Sequence, residues 1–356
     1  MIVTSDVVSL EKRGFYQGIL GGVVALANSL GPLVGGAFSE KVSWRWCFYI
    51  NIPLSSIAIL VVAFVLPFKK VTGDIKGKLA KIDYVGCFFM ITSAILILLA
   101  LSWSGTSYPW NSAGSIAPLV IGGVLAAFFV IVEMKLVILP LIPMHIFKIP
   151  TVAGANIGAF FTGFMFYCNL FYLPQFYQVV RGVSPIRSGV LLLPLVLVQT
   201  VTSFTAGALV SKTGNYQLNL WVGFAIWTIA LGLLSTVSPN ISNAKLVGYQ
   251  ILNGIGAGQT FQTSLIAIQA SVKRNEMAVA TATRNFLRLL GGTISLAACA
   301  AILNNTTKNN LAGVISSDVI NQIISDPTVI VSGGLGLTAS ETEAALQAYR
   351  SHLEAT

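Results

Sequence analysis

Charge is what this chain has least of. Asp, Glu, Lys and Arg make up 9% of its 356 residues, against roughly 25% in an ordinary soluble domain. With 55% hydrophobic residues and a mean hydropathy of +0.80, that shortage excludes a water-soluble globule and leaves an integral membrane protein. Histidine is nearly absent: only His145 and His352 occur, both outside the long apolar runs. A membrane-embedded hydrolase or metalloenzyme needs a nucleophile and base, or a metal cluster, at membrane depth. Enzymatic chemistry is therefore excluded, and neither cofactor nor metal is expected. Cys47, Cys87, Cys168 and Cys299 fall in or beside apolar runs without paired spacing, so they read as packing residues rather than a disulfide framework or zinc site. No Gly-x-x-x-x-Gly-Lys-Ser/Thr loop occurs, which removes ATP hydrolysis within the chain as an energy source. The net charge of +9 sits in short loops and forms no basic face interleaved with aromatics, so nucleic acid is not a partner. Residues 1–17 carry Glu11, Lys12 and Arg13 and lack the apolar core of a cleavable signal.

What remains is a series of apolar stretches. About 17 to 25 residues suffice to cross a hydrocarbon core of ~30 Å, and nine such spans are expected, over 16–39, 46–67, 84–102, 115–133, 151–173, 188–211, 217–237, 246–270 and 277–303. The fold class is thus an all-α integral membrane protein, a polytopic helical bundle whose surroundings are the lipid bilayer. With the N-terminus inside, the inner loops hold Lys69, Lys70, Lys76, Lys78, Lys81, Lys135, Lys148, Lys212, Lys273 and Arg274. These outnumber Lys41, Arg45, Arg181, Arg187 and Lys245 outside, as the positive-inside rule requires. The sequons at Asn240, Asn304 and Asn305 all fall on the outer side and are candidate glycosylation sites. The uncharged loop with Trp103, Tyr108 and Trp110 reads as an outer hairpin held by interfacial aromatics. Two regions follow: a transmembrane domain over 1–303 and a polar extracytoplasmic tail over 304–356. In the tail, Ser340-Glu-Thr-Glu343 reads as a capping box opening a short helix with Leu346, Tyr349 and Leu353 on one face.

The first span carries Gly31-Pro32-Leu33-Val34-Gly35-Gly36 in an uncharged apolar helix, and Trp44-Arg45-Trp46-Cys47-Phe48-Tyr49-Ile50-Asn51-Ile52-Pro53 follows. Glycine and proline weaken a helix in water, but in lipid small residues let neighbouring helices approach closely. Further strings run along the chain: Asp83-Tyr-Val-Gly86, Leu139-Pro-Leu-Ile-Pro-Met-His-Ile-Phe147, Arg181-Gly-Val-Ser-Pro-Ile-Arg-Ser-Gly189, Gly254-Ile-Gly-Ala-Gly258 and Arg284-Asn-Phe-Leu-Arg-Leu-Leu-Gly-Gly292. In order and spacing they resemble spans five to thirteen of the fourteen-spanner drug:proton antiporters of the major facilitator superfamily, and in particular fungal toxin and drug efflux pumps. The fifth-span antiporter motif of that family is matched by Ala27, Gly31, Pro32, Gly35 and Gly36, with Ala27 where glycine is usual.

The resemblance implies a fold of major-facilitator type and secondary active, proton-coupled efflux of small hydrophobic or amphipathic molecules such as drugs, toxins or secondary metabolites. It implies residence in the plasma membrane, with the vacuolar membrane as the alternative. A siderophore-type carrier of the same family and a non-transporting truncated remnant are the competing readings. Spans one to four and fourteen have no counterpart, so the resemblance also implies a fragment that does not transport alone.

Several residues are candidates for the transport path. Gly31 and Gly35 form a small-x-x-x-small face on which two bundles could rock; static helix packing is the plainer role. Gln259, Gln262 and Gln269 fall within an arc of about 80° on one helix, either as an amide wall of a cavity or as interhelical hydrogen-bonding groups. Asn156, Tyr167 and Asn169 are weaker candidates of the same kind. Arg284 and Arg288, one turn apart near the inner end of a span, either attract an anion or coupling acid or snorkel to the headgroups. Glu133 reads as a solvated boundary residue, with a proton site as the alternative. Gly207-Ala-Leu-Val-Ser-Lys-Thr-Gly214 resembles the superfamily's cytoplasmic gating motif, but Ser211 stands in the acidic position and Lys212 in that of arginine. A tight helix-loop turn, a hinge at most, is what it implies.

Overall fold

A computed structural model describes residues 30–65, 83–104, 108–135, 140–238, 241–274, 276–332 and 337–353, together with Val23 and Ala27. Most of the expected first span lies outside the described residues, as do Lys69–Lys81 and Asn240. The described residues hold helices and no β-strand. They are α1 (30–41), α2 (Trp46–Val65), α3 (Tyr84–Trp103), α4 (Ala113–Lys135), α5 (Pro150–Gln175), α6 (Pro185–Thr213), α7 (Tyr216–Leu234), α8 (Asn243–Ser271) and α9 (Met277–Leu311). Three shorter helices follow: α10 (Ser317–Ser325), α11 (Val329–Ser332) and α12 (Ala339–Leu353). Helix α5 runs on through a π-turn, Phe176–Val180.

Seven of these helices are long and apolar enough to cross a membrane, not nine. One shortfall is the first span, for the reason just given. The other is α8, whose 29 residues are long enough but too polar. Its setting explains the composition. Helix α8 is enclosed by α6, α7 and α5, and buries Gln250, Asn253, Thr260, Thr263 and Ser264 against them. A helix that meets protein on most sides need not be apolar, provided its polar groups find partners there. By contrast α2 buries none of its residues, and Ile52, Phe64 and Val65 project from it as an apolar surface suited to hydrocarbon.

The chain's turn chemistry sets the helix ends. Ser184 accepts from Arg187 N at 3.4 Å with Pro185 in the first turn of α6, and Asn215 accepts from Leu218 N at 3.0 Å to start α7. Between them Gly214 takes φ +70°, closing α6 with a bond to Val210 O. Only glycine adopts that backbone without strain. Internal prolines Pro118, Pro174 and Pro194 stay within helices, as neighbouring helices in lipid permit. Cys168 and Cys299 are free thiols with Sγ atoms 3.4 Å apart between α5 and α9.

Beyond residue 303 the chain is not a loose polar tail. Helix α9 continues to Leu311, burying Thr307 and Leu311, and α10 to α12 fold over one end of the bundle. Ile320, Ile323, Ile330, Ala345 and Ala348 join Tyr177, Val180, Leu246, Leu303 and Leu311 in one buried apolar cluster. The capping box of α12 lies two residues earlier than Ser340–Glu343. Glu341 accepts from Thr338 N at 2.8 Å and Thr338 Oγ1 accepts from Glu341 N at 3.4 Å. The bond from Thr338 N, with a second that Thr338 Oγ1 donates to Glu341 Oε2 at 2.7 Å, holds the Glu341 carboxyl below the usual carboxylate range. Thr338 wins because its spacing to Glu341 is that of N-cap to N3.

Candidate functional site

The antiporter-motif helix α1 docks on the start of α6. A Cβ at Gly36 would lie 2.7 Å from Pro185 O, and one at Gly189 would lie 2.5 Å from Pro32 O. Each helix therefore offers a bare backbone to the other. One turn further on, Glu40 accepts from Ile186 N at 3.0 Å. That bond, with a second from Ser184 and the nearby Lys41, keeps its carboxyl below the ordinary range. The face expected from the sequence, Gly31 with Gly35, is open: among the described residues, no other element comes within 4 Å of a Cβ at either. The notch is Pro32 and Gly36, rotated by one residue, because the partner is the α6 N-terminus. The sequence reading named the Arg181–Gly189 string but did not give Gly189 this role.

On α8 the three glutamines diverge. Gln259 faces Gly223 of α7, with its Cβ 3.0 Å from a Cβ there. Gln262 lies against Gly207 of α6, and Gln269 Nε2 donates to Thr281 Oγ1 of α9 at 3.1 Å. An 80° arc on one helix spans three neighbours when that helix is central, so no single amide wall forms. The same packing continues at Gly254, whose Cβ would meet Leu195 O at 2.7 Å, and at Gly258, against Gln199 O. Asn219 Nδ2 donates to Thr263 Oγ1 at 2.6 Å across α7 and α8.

Arg284 does not snorkel. It is 3% exposed and turns into the bundle, where Nη2 donates to Ser264 Oγ at 2.7 Å, Nε to the same oxygen at 3.1 Å, and Nη1 to Asn285 Oδ1 at 3.1 Å. Nη2 also donates to Phe261 O. One turn on, the Arg288 guanidinium sits 4.9 Å from the Phe261 ring centroid, and that ring meets Phe166 of α5 edge to face at 5.0 Å. Helices α5, α8 and α9 thus assemble a basic and aromatic cluster. Eleven residues at 1.5 Å rise place Arg288 about 16 Å along α9, three turns inside the helix rather than at its end. The sequence reading missed Phe261, Ser264 and Phe166. The complete lack of Asp and Glu between Glu133 and Glu276 says that Arg284 needs neutral acceptors from that stretch, but nothing in the sequence singles out these three.

Of the other candidates only Tyr167 borders this cluster, its ring edge to face with Phe166 at 5.5 Å. Asn156 is 1% exposed with both ends of its amide lacking hydrogen-bond partners. Tyr167 packs on Gly292 of α9, and Asn169 donates to Met165 O of its own helix at 2.7 Å. Ser211 donates to Gly207 O at 2.9 Å within α6, Lys212 is exposed, and Gly214 forms the turn described above. Asn304 and Asn305 lie inside α9, where Asn305 Nδ2 donates to Ala301 O at 2.8 Å. Glu133 is no solvated boundary residue: it is 4% exposed and accepts from Leu141 N at 3.1 Å and Ile142 N at 3.3 Å. Asp83 is buried beside it and accepts from Gly86 N at 2.7 Å. A Cβ at Gly86 would touch both carboxyl groups, so that glycine lets the two acids share one site.

Membrane-length helices notched for close approach, around a polar interior helix, define a polytopic helical membrane protein. The Major Facilitator Superfamily model matches residues 1–296, and the chain belongs to that superfamily. It is 40% identical over 306 residues to the efflux pump dotC of Dothistroma septosporum, covering 86% of this chain and 53% of that one. It is 37% identical over 312 residues to citrate exporter 1 of Yarrowia lipolytica, covering 87% and 46%. The chain spans about half the length of these relatives. In three dimensions it is similar to a bacterial homologue of the human lysosomal transporter Spinster, in an inward-facing, unoccupied conformation. That match has a TM-score of 0.51 at 15% identity and covers 97% of this chain and 68% of the other, a likeness of fold.

Proposed function

We propose that this chain forms part of a secondary active exporter of small hydrophobic or amphipathic molecules in the plasma membrane, with protons as the coupling ion. The observation that carries the reading is the reciprocal bare-backbone contact of Pro32 and Gly36 with Pro185 and Gly189. Two helix groups that meet on backbone rather than interlocked side chains can tilt against each other with little repacking, as alternating access requires. The efflux pump and exporter among its relatives support the direction of transport. Helices α5 to α9 contain no acidic side chain. The proton is therefore carried by an acid elsewhere, and Asp83 and Glu133 are the only buried acids among the described residues. Since the chain spans about half the length of its relatives, the remaining wall of the path comes from sequence beyond it.

The test is export of a preloaded amphipathic dye from vesicles holding this chain fused behind the first four spans of the dotC pump. Loss accelerated by an imposed pH gradient supports the reading. Loss indifferent to the gradient overturns proton coupling, and robust gradient-driven export by the 356-residue chain alone overturns the partial-wall reading.

A further inference from the structure

We propose that Arg284 and Arg288, with Phe261 and Phe166 beside them, form a recognition site for the anionic group of an amphipathic organic acid. The proposal rests on the transport reading above but names a cargo class that it does not contain. Two like charges four residues apart on one helix repel, and a guanidinium taken out of water costs several kcal/mol unless a counter-charge meets it. Here none does. Ser264 Oγ, Asn285 Oδ1 and Phe261 O are neutral acceptors, which satisfy donors without cancelling charge. The only ion pair among the described residues is His145–Glu276, and α5 to α9 supply no carboxylate. Arg288 is also incompletely engaged: its guanidinium has the Phe261 face, while its buried Nε lacks a hydrogen-bond partner.

These roles divide by geometry. Arg284, locked by α8, sets a fixed positive field. Arg288 carries the free donor that a carboxylate oxygen would accept, and the crossed Phe166 and Phe261 rings give an apolar body a wall at the same depth. A purely structural pair would be expected to satisfy both arginines within the protein. Among the described residues this pair leaves one donor and the net charge unsatisfied.

The probe is 4-benzoylbenzoate, an aromatic carboxylate with a photoreactive ketone, set against its neutral amide. Binding is measured by equilibrium dialysis to the full 356-residue chain in zwitterionic phosphatidylcholine nanodiscs. The carboxylate is expected to bind at least tenfold tighter than the amide, and photolabelling should fall on α8 and α9 around Phe261 and Arg288. Arg288→Gln should erase the preference, Arg288→Lys should keep much of it, and Lys245→Gln, which removes an exposed charge elsewhere, should leave it intact. Equal binding of the two probes, a preference that survives Arg288→Gln, or labelling confined to other helices each overturns the proposal. If Arg288→Gln fails to fold, the wild-type preference and the labelled positions decide. Displacement of the probe by phosphatidylglycerol added to the discs would reassign the site to a lipid headgroup and overturn the cargo assignment. Because dialysis requires no transport, failure of dye export leaves this result standing. Export of neutral dyes with no carboxylate preference would sink the anion site alone.

Discussion

Adding one methyl group at Gly36 should loosen the contact between α1 and α6, whereas the same change at Gly35 should not. A Cβ at Gly36 would stand 2.7 Å from Pro185 O and 3.0 Å from Ile186 Cα. Carbon and oxygen normally keep about 3.3 Å or more, so the helices would separate by about 0.6 Å. Overpacking of this kind costs about 1–3 kcal/mol. Alanine also stabilises a helix by roughly 0.5–1 kcal/mol relative to glycine. That gain applies equally at Gly35, where nothing lies within 4 Å. The difference between Gly36→Ala and Gly35→Ala therefore isolates the overpacking, and should be about 1–3 kcal/mol. Two measurements check it: reversible denaturation in detergent, and hydrogen exchange across residues 184–189 in nanodiscs. Faster exchange is expected there in Gly36→Ala alone. Equal stability and equal exchange in the two variants would refute the docking of α1 on α6 through this notch.

Glu133→Ala should strip the Leu141 and Ile142 amides of their acceptor. An unsatisfied buried donor costs about 1–3 kcal/mol, so the variant should lose stability by that order in the same denaturation assay. The Glu40 carboxyl is held below its ordinary range by Ile186 N–H, so its bond is fully present above the unfolded pKa and fades as pH falls through the lower folded value. The protection factor at Ile186, corrected for the pH dependence of intrinsic exchange, should therefore fall on acidification below about pH 4 and lose that step in Glu40→Gln. Gly214→Ala forces an alanine to φ +70° and should cost about 1 kcal/mol, with proteolysis at the turn between α6 and α7 as the readout. Thr338→Ala should weaken α12 by about 1 kcal/mol through loss of its cap, read as faster amide exchange over 339–343.

Much of the bundle was legible because hydrocarbon imposes a simple rule, and α2, α3, α4 and α7 obey it closely. Where the rule stopped working, neighbours had replaced lipid. Helix α8 reads as a span only when its polar residues are credited with partners, and those partners, such as Asn219 for Thr263, lie 44 residues away. Rotational detail was lost for the same reason. The sequence presents Gly31, Gly35 and Gly36 as equivalent small residues, and only the position of Pro185 distinguishes Gly36 from the others. Arg284 stays open in the sequence between anion attraction and snorkelling, because helix length alone does not say which way a long side chain turns. Its Ser264 and Phe261 partners, on a different helix, turn it inward. In 304–353 the sequence shows the short helix but not its docking, because the apolar residues there are scattered singly. They become a core only when Tyr177, Leu246 and Leu303 supply the other side.

That cap constrains how such a molecule can flex. Its buried residues tie the ends of α5, α8 and α9 into one knot, so these three cannot part at that end without exposing the shared cluster to water. The seam that α1 makes with α6 through Pro32, Gly36, Pro185 and Gly189 uses none of the buried residues of that knot.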